Sequence, residues 1–549
     1  MNIIEKIQQS FSLFLEQHFS LEKDLATNYN FELNVDESKA QFGDLSSNAA
    51  LILAKKLKKN PRVIAQEIID SFKHEDLKDL NVAGAGFINA FLTDTALQTL
   101  AHELFDKKET FFKTNQIKQP QNYNVEFVSA NPTGPLHFGH GRGGIIGDVV
   151  GNILKFVGNN VTKEFYVNDA GNQIQKLAAS FKIRCEQQLG KDVTLPEDAY
   201  HGEYLSQLAQ ECVKEYGNNI LEKPDSFFAD YAKEKMMAQQ EQTLNDYGIN
   251  FDIWFSEKTL HQTNTIEHAI ETLEKNGYVY EKDGALWFAS TKFGDDKDRV
   301  IRKSTGEWTY MAPDIAYMVN KVERGFNHLI MILGHDHHSY AVRLEAVRQA
   351  LNLKAPLDVI LYQLVKIKEG GQFMRMSKRA GRMITLRDII ETVGKDVARF
   401  FYLNRKADGQ LDFDLDLALK KTEENPVYYV QYAYVRTNSI LAKAQEGKNF
   451  SAISSDDIAA ISHEEAGLLK KIVSLKLLLH NITINYQTHL LTYYLIELAT
   501  TFHRYYAKHR VIDPENIAQS RSRLLLIKIL NQTFALGLDL LGISKPEKM

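Results

Sequence analysis

Apolar positions along the first 115 residues follow two periods. Ile3, Ile4, Ile7, Phe11 and Phe14 recur at helical spacing. Ala49, Leu51, Ile52 and Leu57 predict a second helix, with Lys55, Lys56, Lys58 and Lys59 crowding its end before Asn60-Pro61. Pro61 suits the first turn of a third helix, carrying Val63, Ile64, Ile68 and Ile69, because the missing N–H has no helical partner there in any case. Gly84-Ala85-Gly86-Phe87-Ile88-Asn89-Ala90-Phe91-Leu92 then alternates like a strand after a glycine turn. Polar residues 113–121 predict a linker, so the first 115 residues read as a separate α+β unit.

From about 122 to 390 strands and helices alternate. Residues 123–130 predict a strand, and 143–157 a helix with Ile145, Ile146, Val149, Val150, Ile153, Leu154 and Val157 on one face. A strand at 163–167 completes a βαβ unit, which implies a parallel sheet. Charged helical sequence near 181–285 reads as an insertion, and 328–333 and 359–365 as later strands. From about 393 the pattern is almost wholly helical, ending in a leucine-rich stretch at 521–542 that suits a bundle.

Composition narrows the class. A chain of 549 residues exceeds one hydrophobic core and implies about three or four domains. The 44% hydrophobic and 25% charged content is ordinary for a soluble globular protein. A net charge of −5 argues against a uniformly basic nucleic-acid binder, though local patches set that field. Cys185 and Cys212 lack metal-site spacing and read as reduced packing residues, which favours the cytoplasm. Glu5 and Lys6 follow Met1 too closely for a signal peptide, and no run of about 18 apolar residues predicts a membrane span.

The chemistry concentrates between the first parallel strand and its helix, in Asn131-Pro132-Thr133-Gly134-Pro135-Leu136-His137-Phe138-Gly139-His140-Gly141. Ligands bind at the carboxyl ends of parallel strands, and a helix N-terminus offers free N–H groups to phosphate. Gly139 and Gly141 allow close backbone approach, and His137 and His140 each offer a hydrogen bond. A histidine pair in a glycine-rich loop is more often structural; its place between strand and helix favours a phosphate site. A further segment, Phe373-Met374-Arg375-Met376-Ser377-Lys378-Arg379-Ala380-Gly381, follows the strand at 359–365 after a Glu369-Gly370-Gly371 turn. Taken alone it reads equally as a solvated basic loop.

The first segment resembles the HIGH signature of class I aminoacyl-tRNA synthetases, with Phe138 at the usual isoleucine. The later segment is similar to their KMSKS loop, with Arg375 where lysine is usual. The resemblance implies attack of a carboxylate on the α-phosphorus of ATP, catalysed by positioning and charge rather than a protein nucleophile. On it, His137, His140 and Lys378 stabilise the phosphates, and Pro132, Thr133, Gly134, Leu136, Gly139, Asp336, Met376 and Ser377 join them around ATP. Mg²⁺ would accompany ATP. Gly334-His335-Asp336-His337-His338 invites a zinc reading, but the resemblance places it beside ATP and the amino acid, so no structural zinc is expected.

The resemblance narrows to the arginyl-tRNA synthetase family and covers nearly the whole chain. Residues 125–137, Asp412-Phe413-Asp414-Leu415-Asp416, residues 424–433, Phe502-His503 and the terminal Pro546-Glu547-Lys548-Met549 are similar to that family's patterns. Arginine is usual at Lys548. Gly43-Asp44 and residues 84–89 resemble its N-terminal domain. The expected fold is multidomain α/β: an N-terminal α+β domain at 1–115, a Rossmann-type parallel-sheet catalytic domain at 116–390, and a C-terminal all-α anticodon-binding bundle at 391–549. A guanidinium substrate requires carboxylates that accept paired hydrogen bonds, and Glu126 and Asp314 are the candidates. Ser129, Asn131, His137, Tyr310 and His337 complete the implied arginine site. Outside the resemblance, Glu126 reads as a strand-edge charge and Asp314 as a helix N-cap.

Lys55, Lys56, Lys58, Lys59 and Arg62 form a basic face whose usual fate is solvation; the resemblance implies that it meets the phosphates of the tRNA elbow. Tyr428, Gln431, Tyr432, Arg436, His503 and Met549 are the tRNA-contact candidates in the bundle, since aromatic and basic residues together suit unstacked bases. The implied partners are ATP, L-arginine and the cognate arginine tRNA, for a monomer with no membrane association. Two alternatives are a synthetase for another amino acid and a non-catalytic RNA-binding relative. Glu126 and Asp314 argue against the first, intact His137, His140 and Lys378 against the second.

Overall fold

The computed structural model describes residues 1–22, 29–36, 41–113, 119–374, 384–447, 449–450 and 452–549. Arg375, Met376, Ser377 and Lys378 lie outside the described residues.

The N-terminal unit pairs β1 (Glu32–Leu33), β2 (Leu45–Ser47), β3 (Leu77–Ala83) and β4 (Phe87–Leu92) in a sheet of order β1-β2-β4-β3. The helix Ile3–Phe19 opens with a capping box, Asn2 and Glu5 each accepting the other's backbone N–H. Asn60 caps the helix Pro61–Ser71, with Pro61 in its first turn as the sequence predicts. This unit docks on the C-terminal bundle: Lys470 Nζ lies 2.9 Å from Asp44 and Lys476 Nζ 2.7 Å from Glu5.

Five parallel strands form the central sheet: β5 (Asn122–Glu126), β6 (Asn160–Val167), β7 (Ile253–Ser256), β11 (His328–Gly334) and β12 (Leu357–Tyr362), in the order β12-β11-β5-β6-β7. The chain runs outward from β5 to β6 and β7, then restarts on β5's other side with β11. That reversal opens a crevice at the carboxyl ends of β5 and β11.

Two readings change. The sequence predicts one insertion near 181–285, but β7 lies inside that span and rejoins the sheet. Only four residues long, β7 carries too little pattern to be seen. It separates a helical unit, Asn172–Gln188, Glu203–Tyr216 and Asp225–Asp246, from a small sheet of β8 (Val279–Lys282), β9 (Ala285–Phe288) and β10 (Arg299–Arg302). The helical unit has its own apolar core, with Phe181, Leu208 and Phe228 buried. The apolar run at 359–365 spans two sheets: it ends β12 and begins β13 (Val365–Glu369), which pairs with β14 (Gln372–Phe373) and β15 (Leu411–Asp414).

Among the described residues beyond 385 the regular structure is helical apart from β15, the long helices being Pro426–Gln445, His463–Asn485, His489–Lys508 and Ile517–Leu541. Ile517–Leu541 is long and apolar enough to cross a membrane, but 72% of its most apolar window is buried inside the protein, as in a bundle's core helix.

Candidate active site

The crevice floor begins where β5 stops. The strand predicted for 123–130 ends at Glu126 because Val128 and Ser129 turn to positive φ, 66° and 42°. Positive φ at a β-branched residue is strained, and such strain persists only where the surroundings impose it. Here Ser129 Oγ donates to Glu126 Oε1 at 3.2 Å and accepts the Tyr166 N–H at 3.1 Å. The sharp exit sends 131–140 across the sheet's carboxyl edge, and the helix His140–Phe156 leaves from it.

Both histidines of this loop are fixed through Nδ1. His140 Nδ1 accepts the His137 N–H at 3.0 Å, and His137 Nδ1 accepts the Gly139 N–H at 3.0 Å. An acceptor nitrogen carries no proton, so each neutral ring bears it on Nε2. Burial pushes His137 below the usual histidine range, and burial with His137 beside it takes His140 to about 4. The pair is therefore neutral at pH 7, each with an Nε2–H donor. Gly141, expected to let a ligand approach, instead admits protein: a Cβ there would lie 2.7 Å from Leu386 and 2.9 Å from Tyr402.

The residues that follow the second signature segment are bonded to this loop. Met374 N–H bonds the Ile367 carbonyl at 2.9 Å as the chain leaves the β13–β14 hairpin. On return, Ile384 C=O accepts the Phe138 N–H at 3.2 Å and Leu386 N–H donates to Leu136 C=O at 2.9 Å. The exit of 375–383 is thus sewn to the first loop.

The acidic residues occupy different states. Glu126 is buried at the end of β5 and ion-paired with Lys321 Nζ at 2.5 Å. It is not the strand-edge charge that sequence alone allows. Next to it Glu164 on β6 holds Arg324 through two bonds, 2.5 and 2.9 Å. Asp314 sits in the first turn of the helix Met311–Glu323, whose N-cap is Tyr310 and not Asp314. Its carboxylate accepts Tyr340 Oη at 2.8 Å. Burial, then Glu257 and Glu126, push Asp314 up to about 7 against that hydrogen bond and Arg343. Burial and neighbouring Asp169 raise Glu257 despite hydrogen bonds from Tyr166 and His261. Asp314 and Glu257 are thus both held above the usual carboxylate range by burial and by neighbouring carboxylates, a field that favours a bound cation.

Other expected site residues lie apart. Tyr310 is 67% exposed, and the Asp336 and His337 side chains stand in solvent 3.8 Å from one another. Asn131 is exposed, with its carbonyl bonded to Gln240. Among the described residues no group of three or more His, Cys, Asp or Glu side chains is placed to hold a metal ion. Sequence reading missed Lys321, Tyr340, Glu257 and Tyr166, whose roles arise from contacts distant in sequence.

In the bundle, Tyr432 lies between Tyr428 and His503, with centroids 6.4 and 5.7 Å away, and Arg436 sits 4.5 Å above the Tyr432 ring. Gln431 is not part of this surface: it is buried and bonds Asp396 and the Ser544 carbonyl, each at 3.0 Å. Met549 is exposed at the chain end.

A parallel sheet whose first strand breaks into a fixed His-x-Gly-His loop, with the second signature's exit sewn to it, defines a class I aminoacyl-tRNA synthetase. Three family models match the chain: "Arginyl tRNA synthetase N terminal domain" over residues 2–92, "tRNA synthetases class I (R), catalytic domain" over 101–408, and "DALR anticodon binding domain" over 430–549. An arginine–tRNA ligase of Bacillus licheniformis is 42% identical over 525 residues, covering 94% of each chain. One from Anoxybacillus flavithermus is 40% identical over the full length of both. The arginyl-tRNA synthetase of Thermus thermophilus shares the fold, with a TM-score of 0.75 at 20% identity over both complete chains. The chain belongs to the arginyl-tRNA synthetase family.

Proposed function

We propose that this chain activates L-arginine with ATP and transfers it to the 3′ end of its cognate tRNA. The observation that carries the reading is Asp314: a carboxyl that burial, Glu257 and Glu126 hold up to about 7, with Glu126 ending the strand whose loop carries the two Nε2–H donors. An arginine guanidinium supplies the missing charge and the paired donors that a carboxylate accepts. Lysine fills that geometry poorly, having no planar fork.

In the first step an arginine carboxylate oxygen bonds to the α-phosphorus, the α–β bridging bond breaks and pyrophosphate leaves. The Nε2–H groups of His137 and His140 donate to the phosphates as charge moves onto them, and Lys378 reaches the β- and γ-phosphates. Pro132, Thr133, Gly134, Leu136 and Gly139 shape the ATP seat, with Asp336, Met376 and Ser377 at its margin. Magnesium enters with ATP as part of the substrate. Ser129 and Asn131 face the amino acid's backbone groups, and Tyr310 and His337 close over it from the surface. Glu126, already paired with Lys321, sets the field around the guanidinium. In the second step a terminal ribose hydroxyl of tRNA forms the ester, loses its proton and displaces AMP.

The exposed lysines 55, 56, 58 and 59 contact the tRNA elbow, and Tyr428, Tyr432, Arg436 and His503 meet the anticodon loop, with Met549 a further contact at the chain end. Arginine activation awaits bound tRNA, and the enzyme works as a cytoplasmic monomer. The test is a charging assay offering all twenty amino acids with total tRNA. Arginine alone should be esterified, and Asp314→Asn should raise the KM for arginine at least tenfold. Charging of another amino acid, or of none, overturns the proposal.

A further inference from the structure

Two side chains of the inserted helical unit, Gln240 and Tyr204, bond the nucleotide loop. The Asp225–Asp246 helix buries Phe228, Ala232, Met236, Gln240 and Leu244 at every fourth position, with Thr243 beside them. In that every-fourth stripe four are apolar and Gln240, 1% exposed, is polar; Thr243 bonds back to the Gln239 carbonyl of its own helix, while Gln240 reaches across to the loop. Its Nε2 donates to the Asn131 carbonyl at 3.0 Å and to the Gly134 carbonyl at 2.8 Å. These two acceptors dictate the amide's orientation and leave Oε1 buried without a partner. From the preceding helix of the unit, Tyr204 Oη donates to the Thr133 carbonyl at 2.6 Å. Its ring packs where a Cβ on Gly134 would lie 3.1 Å away, so the loop's glycine fits the insertion.

These contacts hold three closely spaced points of one loop: the carbonyls of residues 131, 133 and 134. The same helix ends at Asp246, 3.2 Å from Arg387, just past the 375–383 segment. We propose that Gln240 and Tyr204 are positioning residues for adenylate formation. They hold the 131–134 backbone at the height that lets His137 and His140 meet the phosphates. The proposal rests on reading that loop as the ATP site.

The test compares full-length Gln240→Met, which keeps the side chain's length without its donors, and Tyr204→Phe, which loses only the hydroxyl. A control, Phe228→Leu, trims the insertion's core away from the loop. Arginine-dependent ATP–pyrophosphate exchange is measured in the presence of tRNA, alongside tRNA affinity and thermal unfolding. For the two loop variants kcat/KM for ATP should fall on the order of 10- to 100-fold, the scale of a misplaced reacting group, with tRNA affinity unchanged. Phe228→Leu should lower the melting temperature and leave the KM for ATP alone. Wild-type kinetics in both loop variants overturn the proposal. So does a loss shared by Phe228→Leu in proportion to its instability. If His140→Ala also retained full exchange activity, the ATP-site reading itself would fail; an inactive His140→Ala beside an unaffected Gln240→Met removes only this inference.

Discussion

His140 accepts the backbone N–H of His137 through Nδ1 at 3.0 Å, and this one bond fixes the tautomer that faces the ligand. His140 titrates near 4, so it stays a neutral donor at higher pH and gains its second proton only as pH falls through that value. Exchange activity at saturating arginine should therefore show no histidine limb between pH 6 and 8. His140→Ala should lower kcat roughly 10²- to 10³-fold, the typical cost of one lost donor to a charged transition state. A limb near 6.5 that disappears in the variant would contradict a pre-neutral His140.

Asp314 gives the opposite pH behaviour. Its carboxyl is held up to about 7 by burial and by Glu257 and Glu126, partly offset by Tyr340 and Arg343. Because the folded pKa is raised, the free enzyme loses stability as pH rises through about 7. A guanidinium favours the ionised form, so arginine should release up to about half a proton per molecule bound at pH 7. Affinity should climb from pH 6 to 8 and then level off. Calorimetry in buffers of different ionisation enthalpy measures the release, and Asp314→Asn should abolish it along with most of the affinity.

The loop's chemistry is legible in the sequence because strand, glycine-rich turn and amphipathic helix are contiguous there. The Nδ1 contacts are not, since they depend on a backbone path that Val128 and Ser129 force into positive φ. Asp314 is legible only as a residue type; its charge state comes from burial first and then from Tyr340, Glu257 and Glu126, which tertiary packing brings together. Gln240 leaves a readable trace, the polar position in an otherwise apolar every-fourth stripe. β7 leaves almost none, and Glu257 at its end goes unseen with it. Gln431 misleads because an aromatic-rich helix presents one face to solvent and the other to Asp396 and Ser544.

Lys378 lies outside the described residues, but its segment returns to the chain at Ile384, bonded to Phe138. On the proposed function Lys378 serves the phosphates of ATP and not RNA. Lys378→Ala should therefore lower the rate of activation by two orders of magnitude or so while tRNA affinity changes less than about twofold. Single-turnover exchange and filter binding separate the two. Equal losses in both would assign Lys378 to RNA.

Arg436 lies over Tyr432 and bonds its hydroxyl, with His503 3.3 Å away. Removing it should loosen the ring stack and take away one cation. Arg436→Ala should weaken tRNA binding by about 1–3 kcal/mol, the range for a stacking position, and make the salt dependence shallower by about one charge. The KM for ATP should not move. A shift in that KM with unchanged tRNA affinity would exclude this face as the anticodon contact.

Glu126 and Lys321 are both nearly enclosed, and neither carries its charge cheaply without the other. Lys321→Met should destabilise the catalytic domain by about 3–5 kcal/mol, the cost of leaving a buried carboxylate unpaired. Glu126→Gln should cost less, because the amide still bonds Ser129 and Lys321 can turn toward Tyr317, whose ring its ammonium already overlies at 4.3 Å. The double variant, with no buried charge left over, should recover part of the Lys321→Met loss; such coupling is the signature of a direct pair. Urea unfolding followed by fluorescence reports the sheet through Trp254 on β7, stacked against Phe165 on β6. Arginine affinity in the same variants separates two roles for Glu126. If Glu126 acts through the field of the pocket, Glu126→Gln should weaken arginine binding less than Asp314→Asn does. A larger effect at Glu126 would place the guanidinium directly on it and leave Asp314 the supporting charge.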